Sequence, residues 1–135
     1  MVFQSILCDK RSHVFSSELG GVSVHSQARY SPLDADPEKG HLTKEIIEKS
    51  IFLKNDLHTC ATTIVSLENS LYGQILPFEE IKRIKEVTDK YNIHLHLDGA
   101  RLWNVVVKTG VPLKEWFANQ RKTVIFYYIF SLFAE

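Results

Sequence analysis

The sequence is poor in the features that mark secreted or nucleic-acid-binding proteins. Its 135 residues contain two cysteines, Cys8 and Cys60, which are too few for a disulfide scaffold and favour a reducing compartment. Sixteen Lys and Arg residues balance sixteen Asp and Glu residues, so no excess of positive charge is present to attract nucleic acid or an anionic membrane. The first residues have neither a basic start nor a long apolar stretch, and we therefore expect no signal peptide.

Long apolar runs are also lacking. The longest one, residues 124–133, is interrupted by Ser131 and reaches about half of the roughly 20 residues that a membrane-spanning helix needs. We therefore expect a cytoplasmic protein that has neither a membrane nor a nucleic acid as its partner.

What the sequence does contain is an alternation of strand and helix patterns. Hydrophobic residues make up 44% of the chain and charged residues 24%, which is typical of a globular domain. Short apolar or β-branched runs predict strands at residues 5–9, 61–67 and 93–97. Between the last two, apolar residues at helical spacing follow Pro77 and predict a helix: Phe78, Ile81, Ile84, Val87 and Tyr91. This alternation predicts an α/β fold with a mostly parallel sheet covered by helices.

The remaining segments give shorter patterns. They predict a helix at residues 13–19, strands at residues 22–24 and 28–30, a surface loop at residues 32–40 and a helix after residue 100. We expect the first of these helices to end at Gly20 and Gly21, because glycine commonly terminates helices. Thr43 is a candidate N-cap, since its hydroxyl oxygen can accept a hydrogen bond from the first turn of a following helix.

Two polar clusters follow predicted strands. Glu68, Asn69 and Ser70 come after one strand, and Asp98, Gly99, Ala100 and Arg101 come after the next. Ligands of open α/β sheets bind beyond the carboxyl ends of the strands, so both clusters are candidate site residues. The twofold alternation of a strand also places His94, His96 and Asp98 on one face.

Local spacing leaves three interpretations of Asp98 open. It can form a cap for the following helix, with both histidines bonded to nearby backbone. His94, His96 and Asp98 can together ligate a non-haem metal. Alternatively, Asp98 can face the ring nitrogen of pyridoxal phosphate, where a carboxylate keeps the ring protonated and able to accept electrons.

Three blocks of sequence, taken together, resemble one family. They are His-x-x-x-x-Glu-x-Gly-Gly at residues 13–21, Leu-Glu-Asn-Ser at residues 67–70, and His-Leu-Asp-Gly-Ala-Arg at residues 96–101. The set resembles the L-threonine aldolases, pyridoxal-phosphate enzymes of the aspartate-aminotransferase fold, although Ser70 stands where that family usually has threonine. The resemblance implies that residues 1–119 are part of a pyridoxal-phosphate-binding large domain, and that residues 120–135 are an apolar tail that does not match.

The resemblance also implies roles for individual residues. His13 would stack on the cofactor ring and serve as a catalytic residue near the substrate hydroxyl. Asp98 would pair with the ring nitrogen. Arg101 would be a catalytic and cofactor-binding residue that holds the substrate carboxylate. Glu68 and Asn69 would line the site. For Glu18, Gly20 and Gly21 we favour a purely structural role as a helix stop.

The implied reaction is the cleavage of L-threonine or L-allo-threonine to glycine and acetaldehyde. The resemblance also implies that full-length relatives are homo-oligomers, namely tetramers.

The family's Schiff-base lysine is expected roughly thirty residues after Asp98, because it must reach the cofactor aldehyde. No lysine lies in residues 126–133, and Lys122 comes too early. We therefore expect the chain to be inactive on its own. The alternatives are a non-catalytic interaction fragment and the metal site.

Overall fold

The computed structural model describes residues 4–117 and 123–126. In chain order the elements are β1 (Ser5–Asp9), α1 (His13–Ser16), α2 (Gly21–Ser26), β2 (Arg29–Leu33), α3 (Lys44–Ser50), β3 (Thr62–Glu68), β4 (Ser70–Leu71), β5 (Gln74–Ile75), α4 (Phe78–Lys90), β6 (His94–Asp98), α5 (Leu102–Thr109), α6 (Leu113–Phe117) and β7 (Thr123–Phe126).

Five of the strands form one sheet, in the order β2-β1-β3-β6-β7. Every neighbouring pair in this sheet is parallel. Strands β4 and β5 form a separate antiparallel hairpin. The predicted α/β fold with a mostly parallel sheet is therefore confirmed. Parallel pairing also brings the carboxyl ends of β1, β3 and β6 to the same edge of the sheet.

The helices begin and end where local chemistry allows. The Thr43 hydroxyl oxygen accepts a hydrogen bond from the backbone N–H of Ile46, so the predicted N-cap of α3 is confirmed. Helix α4 follows Pro77 and has Glu79 and Glu80 in its first turn, where carboxylates interact favourably with the positive end of the helix dipole. Helix α5 ends at Gly110, which has a left-handed φ of 73°.

One hydrophobic core joins the sheet to α3, α4, α5 and α6. The most completely buried of its aliphatic members include Ile47, Val65, Ile84, Leu97 and Leu102. Trp116 is 1% exposed, and its ring packs against Phe78 with centroids 4.8 Å apart. This core fixes the strands whose carboxyl ends carry the polar clusters.

The region after β1 differs from the expectation. Residues 22–24, predicted as a strand, lie in α2, and the backbone N–H of Val24 donates to the Gly20 carbonyl at 3.0 Å. The preceding helix ends at Ser16, before the two glycines, and Gly21 begins a helix instead of ending one. A short β-branched run has too little intrinsic preference to resist helical hydrogen bonds once the chain turns at Gly20. Strand β2 also runs through Pro32 and Leu33, which were predicted as loop.

The C-terminal segment is only partly within the described residues. Strand β7, which falls in the predicted tail of residues 120–135, pairs with β6 from Leu95 to Asp98. Residues 126–133, the segment in which the family's Schiff-base lysine was expected, lie outside the described part of the chain apart from Phe126. Within the described ranges, no helix is long and apolar enough to cross a membrane.

Candidate active site

The two polar clusters meet because their strands are neighbours in register. Glu68 at the end of β3 lies directly beside Asp98 at the end of β6. The backbone N–H of Asn69 donates to the Asp98 carbonyl at 3.3 Å, which ties the two strand ends together. The parallel topology therefore assembles Glu68, Asn69 and Asp98 at one edge of the sheet.

An open cavity of about 550 Å³, here called the Asp98 cavity, lies at this edge. Strand β6 contributes Asp98 and His96 to its lining, while Glu18 and the α2 residue His25 line it from the N-terminal part of the chain. The cavity is thus built from segments that are distant in sequence.

The Asp98 carboxylate is half-buried and only partly engaged. Its Oδ1 atom accepts a hydrogen bond from the backbone N–H of Ala100 at 2.9 Å. This bond shapes the turn before α5, so the interpretation of Asp98 as a local cap accounts for one carboxylate oxygen. Within residues 4–117, no described hydrogen bond or ion pair engages the Oδ2 atom. The second oxygen therefore has no hydrogen-bond partner among the described contacts.

His96 is fixed beside Asp98 by the neighbouring strand. Its Nδ1 atom lies 2.8 Å from the Ser66 hydroxyl, and Ser66 is its direct partner in the pairing of β3 with β6. Burial lowers the pKa of His96 below its ordinary value, and the Asp98 carboxylate opposes this shift. We therefore expect a neutral imidazole at physiological pH. His94, which shares this face of β6, is exposed.

A second cavity of about 230 Å³ lies next to the first and is here called the Arg101 cavity. Its lining includes His13, Glu68 and Arg101. Arg101 precedes α5 and is exposed, so its guanidinium can meet a ligand that enters from solvent.

His13 is held at two points by carboxylates. Its backbone N–H, at the start of α1, donates to the Glu68 carboxylate. Its side-chain Nδ1 atom lies 2.8 Å from Oε1 of Glu18. The imidazole is therefore anchored through both its main chain and its ring.

The environment of the Glu68 carboxyl group shifts its pKa. Burial raises its pKa, and the neighbouring Asp98 carboxylate adds to the rise. The backbone N–H of His13 and the positive charge of Arg101 oppose it. Ionised Glu68 consequently costs folding free energy that a neutral side chain of the same shape would not.

Replacing Glu68 by Gln should therefore change how stability depends on pH. A carboxyl whose pKa is higher in the folded than in the unfolded state binds more protons when folded, so stability falls as pH rises from the ordinary value of 4.5 to the raised one. Glu68→Gln removes this loss and keeps an oxygen that can accept from His13. Urea unfolding of both proteins at a series of pH values should show that the free energy of unfolding of the variant rises relative to that of the wild type over this pH range. A difference in the free energy of unfolding that does not change with pH would contradict the raised pKa of Glu68.

The structure divides the predicted site residues between the two cavities. His13, Glu68 and Arg101 line one, and Asp98 lines the other. Asn69 is 1% exposed, and its Nδ2 atom has no hydrogen-bond partner in the described part of the chain. Whether these residues carry the roles implied by the resemblance stays a prediction.

Two further residues were missed by the sequence analysis. Glu18, expected only to help stop a helix, contacts the His13 ring. His25, which no sequence motif singled out, is exposed and lines the Asp98 cavity. A spacing of five residues between His13 and Glu18 is not a helical one, so periodicity gave no signal for the pair.

The metal interpretation has no geometric support. Within residues 4–117 and 123–126, no group of three His, Cys, Asp or Glu side chains is arranged to hold a metal ion. His94 does not line the cavity that contains His96 and Asp98. The alternating pattern placed the three on one face of β6, but it did not bring them around a common point.

The fold is one that solved enzyme structures share. A threonine aldolase of Leishmania major superposes with a TM-score of 0.63 at 20% identity, over 76% of this chain and 30% of that one. An aromatic aminotransferase of Pyrococcus horikoshii superposes with a TM-score of 0.57 at 8% identity, over 73% of this chain and 24% of that one. These likenesses establish the class: a parallel α/β fold of the kind found in threonine aldolases and aminotransferases.

The sequence comparison gives the family. Residues 2–122 match the model of the beta-eliminating lyases, and the chain belongs to that family. It is 46% identical to the low-specificity L-threonine aldolase of Candida albicans, over 83% of this chain and 30% of that protein. It is 44% identical to the Saccharomyces cerevisiae enzyme of the same name, over 83% of this chain and 29% of that protein. The chain thus spans about 30% of the length of these curated relatives.

Proposed function

We propose that the protein carrying this chain is a pyridoxal-phosphate-dependent lyase that cleaves L-threonine or L-allo-threonine to glycine and acetaldehyde. Membership of the beta-eliminating lyase family and the similarity to L-threonine aldolases support the reaction class. The observation that carries the proposal is the Asp98 carboxylate, which lies at the carboxyl end of β6 and lines an open cavity.

The residues around this cavity fit the cofactor. A volume of about 550 Å³ lies within the range of roughly 300–1,000 Å³ found for small-molecule pockets. An ionised carboxylate only accepts hydrogen bonds, so Asp98 Oδ2 is complementary to a protonated ring nitrogen. Asn69, proposed to line the site, is buried at the neighbouring strand end and lines neither cavity, and its Nδ2 donor has no partner within the described residues.

Bound pyridoxal phosphate supplies an electron sink for the negative charge left at the substrate Cα when the Cα–Cβ bond breaks. Asp98 would hold the ring proton on which this capacity depends. His13 would stack on the ring and hold or move the proton of the substrate hydroxyl, and such positioned proton transfer contributes about 10²–10⁴-fold to rates.

Arg101 would bind the substrate carboxylate, because the guanidinium fork matches that group with two parallel hydrogen bonds. Glu68 would line the site and keep α1 in place through the His13 N–H. The proposal includes a cytoplasmic, homo-oligomeric enzyme, namely a tetramer. Trp103 and Val107, 60% and 84% exposed and one turn apart on α5, support a subunit contact.

The test is made on the full-length enzyme carrying this sequence, because the chain covers about 30% of its curated relatives. The purified enzyme, loaded with pyridoxal phosphate, should release equal amounts of acetaldehyde and glycine from L-threonine. No acetaldehyde from either L-threonine or L-allo-threonine, despite bound cofactor, would contradict the proposed reaction.

A further inference from the structure

We propose that Glu18 is a positioning residue that fixes the His13 imidazole in the tautomer with a proton on Nδ1 and none on Nε2. The inference deepens the proposed function and rests on it for its catalytic meaning, because it specifies which nitrogen of His13 can accept the substrate proton. The tautomer itself is a property of this chain alone.

The contact geometry supports the pairing. The Nδ1 atom of His13 and Oε1 of Glu18 are 2.8 Å apart, within the range of a charge-assisted hydrogen bond. The two side chains are 54% and 39% exposed, so each is held against the protein while still open on one side. The bond from the His13 backbone N–H to Glu68 fixes the other end of the residue.

The chemistry of the partner decides the tautomer. An ionised carboxylate has no proton to donate, so a hydrogen bond between it and a neutral imidazole requires the proton to lie on Nδ1. The second ring nitrogen is then an acceptor. A carboxylate that orients a histidine in this way is the arrangement that makes imidazole a general base in Ser-His-Asp enzymes.

The backbone turns directly after Glu18. Leu19 and Gly20 both have left-handed φ values, 51° and 73°. Leucine rarely adopts this conformation, and such residues persist where the surrounding structure imposes them. The two residues turn the chain between Glu18 and α2. A simple helix stop would need a left-handed glycine alone.

The pair also lies where it can act on a ligand. Glu18 lines the Asp98 cavity and His13 lines the Arg101 cavity, so their hydrogen bond connects the two. A substrate contacting both Asp98-bound cofactor and Arg101 would therefore lie beside the pair.

The test is the tautomer of His13, read by NMR in the chain labelled with ¹⁵N-histidine. Spectra that correlate ring carbon-bound protons with both nitrogens distinguish a protonated from an unprotonated nitrogen. They are recorded without cofactor at about pH 8, where an ordinary imidazole is neutral. His13→Gln identifies the His13 signals. Glu18→Ala removes the partner, and Glu38→Ala removes an exposed carboxylate elsewhere as the matched control.

We expect protonated Nδ1 and unprotonated Nε2 in the wild type and in Glu38→Ala. In Glu18→Ala the proton should move to Nε2, the site a free neutral imidazole prefers. Protonated Nε2 in the wild type would overturn the inference, and this result needs no variant to fold. The same tautomer in wild type and folded Glu18→Ala would overturn it too. Since neither cofactor nor turnover is involved, failure here is distinct from failure of the proposed reaction.

Discussion

Replacing Asp98 by Asn should lower the rate of threonine cleavage by the full-length enzyme by roughly 10²–10³-fold, the loss typical when one preorganised electrostatic group is removed. Asn is nearly the same size and can still accept from the Ala100 N–H, so the turn before α5 is kept. It carries no negative charge and so cannot hold a proton on the cofactor ring. The loss should fall mainly on kcat, because the interaction matters most when charge develops at the substrate Cα.

The matched control is His94→Asn on the same strand. His94 lies on the same face of β6 but is exposed and does not line the Asp98 cavity. Its replacement should change kcat by less than about threefold, in keeping with a surface substitution away from the site. Equal and small losses from both variants would contradict the assignment of Asp98 to the ring nitrogen.

Leu97→Ala should lower the free energy of unfolding by about 2–5 kcal/mol, the range measured for such truncations in packed cores. Leu97 is 2% exposed and lies opposite Leu67 in the pairing of β3 with β6. The truncation leaves a cavity in the hydrophobic core beside β6. Because Leu97 directly precedes Asp98, the same change should also weaken the placement of the carboxylate.

Leu57→Ala is the corresponding control, since Leu57 is 95% exposed. Its effect on the free energy of unfolding should stay within about 0.5 kcal/mol. Urea denaturation of the wild type and the two variants, followed by circular dichroism, gives the change in free energy of unfolding for each variant. A similar small loss for the two variants would show that Leu97 is not part of a packed core.

The parallel sheet and the long helix were predictable because their signals are local and strong. The β-branched run before Glu68 and the alternation at residues 93–97 each match a strand, and Pro77 with its apolar periodicity matches α4. Strand ends in a parallel sheet share an edge, so the proximity of Glu68 and Asp98 followed from the predicted topology.

The region between β1 and β2 was less predictable because its conformation depends on contacts distant in sequence. The left-handed conformation of Leu19 is unfavourable locally and has no sequence signature. His25, which lines the Asp98 cavity, lies in the helix at residues 21–26 that was not predicted. Sequence blocks identified the family, but the hydrogen bond between Glu18 and His13 required coordinates.

The role of Asp98 is tested most directly by the protonation state of the cofactor ring nitrogen. Pyridoxal phosphate labelled with ¹⁵N in its ring is bound to the full-length enzyme and to its Asp98→Asn variant, and the ¹⁵N chemical shift is recorded for each. We expect a protonated ring nitrogen in the wild type and an unprotonated one in the variant at neutral pH. An unprotonated nitrogen in the wild type, or the same shift in both proteins, would contradict it.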